Sequence, residues 1–144
     1  MIKNKIEQLN IALIAHDTKK ALMECFVRSY DKAFMQHHLI ASGTTGKLLT
    51  SSTGLEIECE ASGDMGGVET ITSRIDFGEI NVVFFFRDPF TKKIHESRAD
   101  TGLLRACDKF PIPLATNIVT AEALIFAIER GDFNHLIYNR PKLF

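Results

Sequence analysis

The chain has no segment near the roughly 20 consecutive apolar residues that a membrane span needs. Its start, Met1-Ile2-Lys3-Asn4-Lys5, lacks the apolar stretch and small-residue cleavage site of a secretory signal. Cysteine is scarce and odd in number: Cys25, Cys59 and Cys107 stand far apart, with no Cys-x-x-Cys pair for zinc or thiol exchange. They are expected as buried thiols of a reducing compartment, which implies a cytoplasmic location. Neither sign of charge is in excess, 17 basic residues standing against 18 acidic ones, so the basic field that drives general nucleic-acid binding is missing. No nucleic acid and no membrane is expected as a partner. The Gly-x-x-x-x-Gly-Lys-Ser/Thr loop of nucleotide binders is also absent. What the 144 residues do contain is 45% hydrophobic side chains, enough to build a core without disulfides or metal staples, and residues 1–144 are expected to form a single domain.

Five apolar runs punctuate the chain, each stopping at polar or small residues. Ile11 to Ala15 stops at His16-Asp17-Thr18, and Leu39 to Ala41 stops at Ser42-Gly43-Thr44-Thr45-Gly46. Val82 to Phe86 stops at Arg87-Asp88-Pro89; a weaker run from Leu55 to Cys59 ends at Ala61-Ser62-Gly63, and Ile112 to Ala115 ends at Thr116-Asn117. Short continuous apolar runs are how strands buried on both faces read. Between them lie helical spacings: Ala21, Leu22, Cys25 and Phe26; Leu103, Leu104 and Cys107; Ala121, Leu124, Ile125 and Ile128, the last group with Thr120 as N-cap and Gly131 as stop. Strands alternating with helices imply right-handed crossovers and a mainly parallel sheet, hence a three-layer α/β fold.

In such a sheet ligands bind beyond the carboxyl ends of the strands, where the polar stops converge. Ser42-Gly43-Thr44-Thr45-Gly46 joins a strand to a helix and offers hydroxyls and free backbone N–H groups at the positive end of a helix dipole. A second small-residue turn, Ser62-Gly63-Asp64-Met65-Gly66-Gly67, and Lys20, one turn into the helix after His16-Asp17, belong to the same edge. Together they suit a phosphate monoester. His16 and His95 fall at a strand end and in a loop beyond one, where an imidazole can polarise a carbonyl or move protons; His37, His38 and His135 read as packing or surface residues. Asp17 and Asp88 end apolar strands and are candidates for buried hydrogen bonding, with Asp88 also able to cap the turn at Pro89. Arg87 either pairs with Asp88 or adds positive charge to the pocket.

The same segments, with Phe85 to Pro89 and Leu103-Leu104-Arg105 leading to Ile112 through Asn117, resemble the methylglyoxal synthase family in order and nearly constant spacing, over about residues 10 to 138. The resemblance implies a five-stranded mainly parallel sheet, a homohexamer, and no metal or organic cofactor. It implies a lyase that eliminates phosphate from dihydroxyacetone phosphate through an enediolate, a step that bypasses part of glycolysis. By position, Lys20, Ser42, Gly43, Thr44, Thr45, Ser62 and Gly63 match the phosphate cradle, and His16 and Asp17 line the site. His95 matches the histidine that polarises the carbonyl oxygen and relays protons.

Three departures accompany the resemblance. The family's turn ends Gly-Gly-Asp, and that aspartate is the base; here the position is Val68, with Asp64 at the family's proline position and Glu69 next in sequence. The aspartate expected three residues after His95 is Arg98, and a one-residue insertion brings Asp100 toward the role. Arg87 stands where the family has an aromatic residue, and Arg140 is the substitute for a C-terminal arginine that reaches a neighbouring subunit. Two functions follow: a synthase with Asp64, Glu69 or Asp100 as base, or a regulatory module that binds inorganic phosphate or a phosphorylated metabolite, as the similar allosteric domain of carbamoyl phosphate synthetase binds regulators.

Overall fold

The structure, a computed structural model, describes residues 5–60 and 66–137. Five parallel strands form one sheet in the order β3-β2-β1-β4-β5: β1 Asn10–Ala15, β2 His38–Ser42, β3 Ile57–Glu60, β4 Val82–Phe86 and β5 Leu114–Ala115. The helices are α1 Lys20–Ser29, α2 Asp31–Phe34, α3 Gly43–Thr53, α4 Gly66–Asp76, α5 Ile94–Lys109 and α6 Ile118–Glu129. The three central strands have apolar, buried interiors, as burial on both faces requires.

Alternation along these strands builds two cores. Ile11, Leu13, Leu39, Ala41, Phe84 and Phe86 face a layer that includes Phe26 of α1, Leu49 of α3 and Ile125 of α6. Ala12, Ile14, Ile40, Val83 and Phe85 face the opposite layer, Ile71 and Ile75 of α4 with Leu103, Ala106 and Cys107 of α5. The chain runs outward from β1 through β2 to β3, then returns across the sheet to β4. The order therefore reverses beside β1, and the crevice beyond the ends of β1 and β4 is where an open α/β sheet takes its ligands.

Several sequence expectations need adjustment. The weak third strand begins at Ile57 because Leu55 is buried from the loop before it, and the fifth comprises only Leu114 and Ala115. The buried stripe of α1 is Met23, Phe26 and Val27, which turns Cys25 outward. Cys59 is exposed as well, so only Cys107 is the buried thiol expected of all three; burial pushes it up to about 12 and leaves it inert. Helix α6 is capped by Asn117, whose side chain accepts the Thr120 N–H at 3.1 Å, not by Thr120 itself. Gly131, with φ 78°, does stand just past its end, where a left-handed residue is needed. Among the described residues no helix is long and apolar enough to cross a membrane.

Candidate functional site at the ends of the central strands

The site lies where the second core runs out. Beyond Ile14 of β1, the next residue on that face is His16; beyond Ile40 of β2 it is Ser42; beyond Phe85 of β4 it is Arg87. Of the helices above, α5 follows the same rule, with Asp100 three residues before Leu103, whereas on α4 the residue three before Ile71 is the apolar Val68. Polar groups from four elements thus take over from apolar ones at one edge.

His16 and Asp100 form the centre. Both are buried, and His16 Nε2 lies 3.2 Å from Oδ1 and 3.0 Å from Oδ2 of Asp100. The backbone N–H of Asp88 donates to His16 Nδ1 at 2.7 Å. A nitrogen that accepts cannot carry the proton, so the bonding fixes the tautomer with hydrogen on Nε2, which donates to the carboxylate. His16 N–H also continues the ladder to Phe86 O at 3.1 Å, and its ring meets Phe85 edge-on at 5.4 Å. The imidazole is therefore held from three sides. It serves as a donor, with no lone pair free to act as base.

Asp100 has a side chain only 3% exposed, and a carboxylate so buried requires partners. His16 supplies one. Arg87 supplies the other, with Nε 3.8 Å from Oδ2. Arg87 therefore pairs across to α5, not with its neighbour Asp88. Asp88 instead accepts the Phe90 N–H at 2.8 Å and the Thr18 hydroxyl at 3.1 Å, fixing the turn before Pro89. The Phe90 N–H, first, and then Thr18 hold its carboxyl below the usual range.

The expected cradle is the N-terminus of α3. Ser42 takes the N-cap position with an extended backbone, yet its side chain caps none of the helix N–H groups. Thr45 is fully buried, and its Oγ1 has no hydrogen-bond partner among the described residues. Buried hydroxyls are nearly always paired, which makes this one an exception. Gly43 and Gly46 are buried while Thr44 is exposed. Gly46 is required by packing: a Cβ there would stand 2.5 Å from Cys59 Sγ on β3.

Other expected residues divide. Lys20 reaches Asp17 Oδ1, and that bond, with the lysine's charge, lowers the Asp17 carboxyl. Asp17 is 75% exposed, which corrects its expected burial; it lies at the rim. Val68 is partly buried and packs on the second core, whereas Glu69 in the same turn is exposed. Ser62, Gly63, Asp64 and Arg140 lie outside the described residues. His95 is in the first turn of α5, one turn before Ala99, and its side chain lies outside the description. The reading of His37 as a packing residue holds: it is buried and Nδ1 accepts the Leu9 N–H at 3.0 Å. It borders a cavity of about 620 Å³ at the opposite edge of the sheet, with Phe34, Leu39, Gly54 and Ile57. Among the described residues, no three His, Cys, Asp or Glu side chains are grouped to hold a metal. The His16–Asp100 contact, 84 residues apart, and the tautomer fixed by the Asp88 N–H carry no local sequence signal.

The geometry agrees with relatives of known family. A model described as the MGS-like domain matches residues 22–116. A methylglyoxal synthase of Caldicellulosiruptor saccharolyticus is 48% identical over 135 residues, 94% of this chain and 95% of its own length. The methylglyoxal synthase of Bacillus cereus is 46% identical over 127 residues, 88% of this chain and 96% of its own. Among solved structures, methylglyoxal synthase from Elizabethkingia anophelis superposes with a TM-score of 0.73 at 33% identity, covering 82% of this chain and 77% of that one. With a parallel sheet, an uncapped helix start and a buried histidine–carboxylate pair at its switch point, this chain belongs to the methylglyoxal synthase family.

Proposed function

We propose that the chain eliminates phosphate from dihydroxyacetone phosphate to give methylglyoxal. The observation that carries this is the pairing of an unsatisfied phosphate cradle, Thr45 Oγ1 at the start of α3, with the ionisable pair His16 and Asp100 at one strand edge. The phosphate is held by the α3 N–H groups and the hydroxyls of Ser42, Thr44 and Thr45, with Lys20 turning from Asp17 to join them. By resemblance, Ser62 and Gly63 complete the cradle, and His95 polarises the carbonyl oxygen.

The chemistry needs one base and one stabilised oxyanion. A carboxylate takes a proton from the hydroxymethyl carbon, and the electron pair moves to the carbonyl oxygen to form the enediolate. Collapse of the enediolate expels inorganic phosphate by breaking the carbon–oxygen bond at the other terminal carbon. The resulting enol aldehyde takes a proton on that carbon and becomes methylglyoxal. Asp100 is the carboxylate we assign as base: Val68 has none, Glu69 is exposed, and Asp17 is at the rim beside Lys20. Asp64 is the further carboxylate available by sequence. A homohexamer follows from the resemblance.

Val68 favours a second reading, a module that binds a phosphorylated metabolite without turnover, because a valine packed on the core occupies the family's base position. Purified protein incubated with dihydroxyacetone phosphate separates the two. Methylglyoxal and phosphate in equal amounts support the lyase; binding without product supports the module. Val68→Asp sharpens the comparison: a lyase already served by Asp100 changes less than tenfold, whereas a scaffold that lacks only its base gains about 10²-fold or more.

A further inference from the structure

At the amino ends of β2 and β3, the edge opposite the candidate site, the first core stops short of closing. Leu39 of β2 and its register partner Ile57 of β3 belong to that core, and with Phe34 of α2 and Leu55 they give apolar walls to the cavity of about 620 Å³. Met35, another lining residue, is a large apolar side chain left 67% exposed. Small-molecule pockets typically span roughly 300–1,000 Å³, so the space suits a ligand of that size. Phosphate elimination at the other edge makes no use of it.

Two polar lining residues have bonding capacity left. His37 is 7% exposed, and burial keeps its imidazole neutral by depressing it to about 4. Because Nδ1 accepts the Leu9 N–H at 3.0 Å, the hydrogen stands on Nε2, and that N–H has no acceptor among the described residues. Buried polar groups are nearly always paired, and an occupant that offers an oxygen would pair this one. Glu56 is exposed and forms no ion pair among the described residues, whereas Glu58 is bound by Arg74 and, at 3.2 Å, by His38. No lysine or arginine is among the described lining residues. Apolar walls, one neutral donor and uncompensated negative charge favour a cation and disfavour an anion.

We propose that this cavity is a second ligand site, which takes a small amphipathic amine. Its hydrocarbon body lies against Phe34, Leu39, Leu55 and Ile57, its ammonium group meets Glu56, and an acceptor oxygen takes the His37 Nε2–H. The ligand class is opposite in charge to a phosphate monoester, so the inference stands independently of the phosphate cradle.

Three probes built on one ring separate these contributions. Tyramine carries an ammonium and a hydroxyl, phenethylamine lacks the hydroxyl, and 4-hydroxyphenylacetate replaces the ammonium by a carboxylate. Titrated calorimetrically into the full chain at pH 7, tyramine should bind about tenfold tighter than 4-hydroxyphenylacetate and about threefold tighter than phenethylamine. Glu56→Gln should weaken tyramine about threefold to fivefold. His37→Asn, which keeps an acceptor for the Leu9 N–H, should erase the preference for tyramine over phenethylamine. No binding of tyramine, equal binding of tyramine and 4-hydroxyphenylacetate, a tyramine affinity that Glu56→Gln leaves unchanged, or a hydroxyl preference that survives His37→Asn would each overturn the inference.

Discussion

At the scale of single residues, the site depends on groups whose bonding is incomplete in the folded chain. Thr45 is the clearest. Its hydroxyl is buried and unpaired, so replacing it by the isosteric Thr45→Val removes no internal hydrogen bond. Stability should stay level or rise by up to about 1 kcal/mol, while affinity for inorganic phosphate falls about tenfold, as expected for one hydrogen bond to a charged group. Chemical denaturation and calorimetry on one preparation check both halves. A large loss of stability with unchanged phosphate binding would mean that the hydroxyl has a structural partner. His16 is the opposite case, since both ring nitrogens are engaged. It can orient the Asp100 carboxylate or lend Nε2–H to a substrate oxygen, and in this tautomer it cannot take a proton at Nδ1 without losing the Asp88 N–H.

At the scale of elements, the cradle helix is fixed by its contact with the neighbouring strand. Gly46 brings α3 against β3 so closely that an added methyl would stand 2.5 Å from Cys59 Sγ. Gly46→Ala should therefore cost about 1–3 kcal/mol and weaken phosphate binding, because a shifted helix carries its N–H groups with it. Adding Cys59→Ala should recover much of the loss, and a double-mutant cycle by denaturant unfolding measures the coupling. Strand β3 is itself an edge, and Arg74 of α4 holds Glu58 and Glu60 along it, with charge discouraging pairing with another chain.

The same elements show what was readable in the chain beforehand. Strands β1, β2 and β4 are continuous apolar runs because both faces are covered, and the polar residues after them marked the site edge. Strand β3 was harder to place, since Leu55 is buried from a loop and the strand alternates with charge. The spacing of Ala21, Leu22, Cys25 and Phe26 marks α1 as a helix, but its buried stripe is Met23, Phe26 and Val27, because periodicity allows either face until a neighbour is present. At the candidate site, the start of α3 is legible as a glycine-threonine turn before a helix. The role of Asp100 depends on contacts with His16 and Arg87, which are distant in sequence and come together only when α5 packs over β1 and β4. Burial of Thr45 beneath the exposed Thr44 has no local signature either.

At the scale of the whole molecule, stability and activity should respond to pH through different groups. Burial depresses His37 from 6.5 to about 4. Between those values the unfolded chain binds a proton that the folded one does not, so the contribution is complete above about pH 6.5 and is lost as pH falls toward 4. The loss from this group is on the order of 3 kcal/mol. His37→Asn keeps an acceptor for the Leu9 N–H without titrating. Urea unfolding at pH 7 and pH 4.5 should show a smaller acid loss in the variant; equal losses would remove His37 from the account.

The central claim is that the buried carboxylate of Asp100 supplies the base that Val68 cannot. Steady-state release of methylglyoxal and phosphate from dihydroxyacetone phosphate, compared between the unmodified protein and Asp100→Asn, tests it most directly, with inorganic phosphate binding measured alongside to show that the site survives. The account predicts turnover in the unmodified protein and a loss of at least about 10²-fold in the variant, with phosphate still bound. No product from the unmodified protein, or turnover within tenfold in a variant that still binds phosphate, would contradict it.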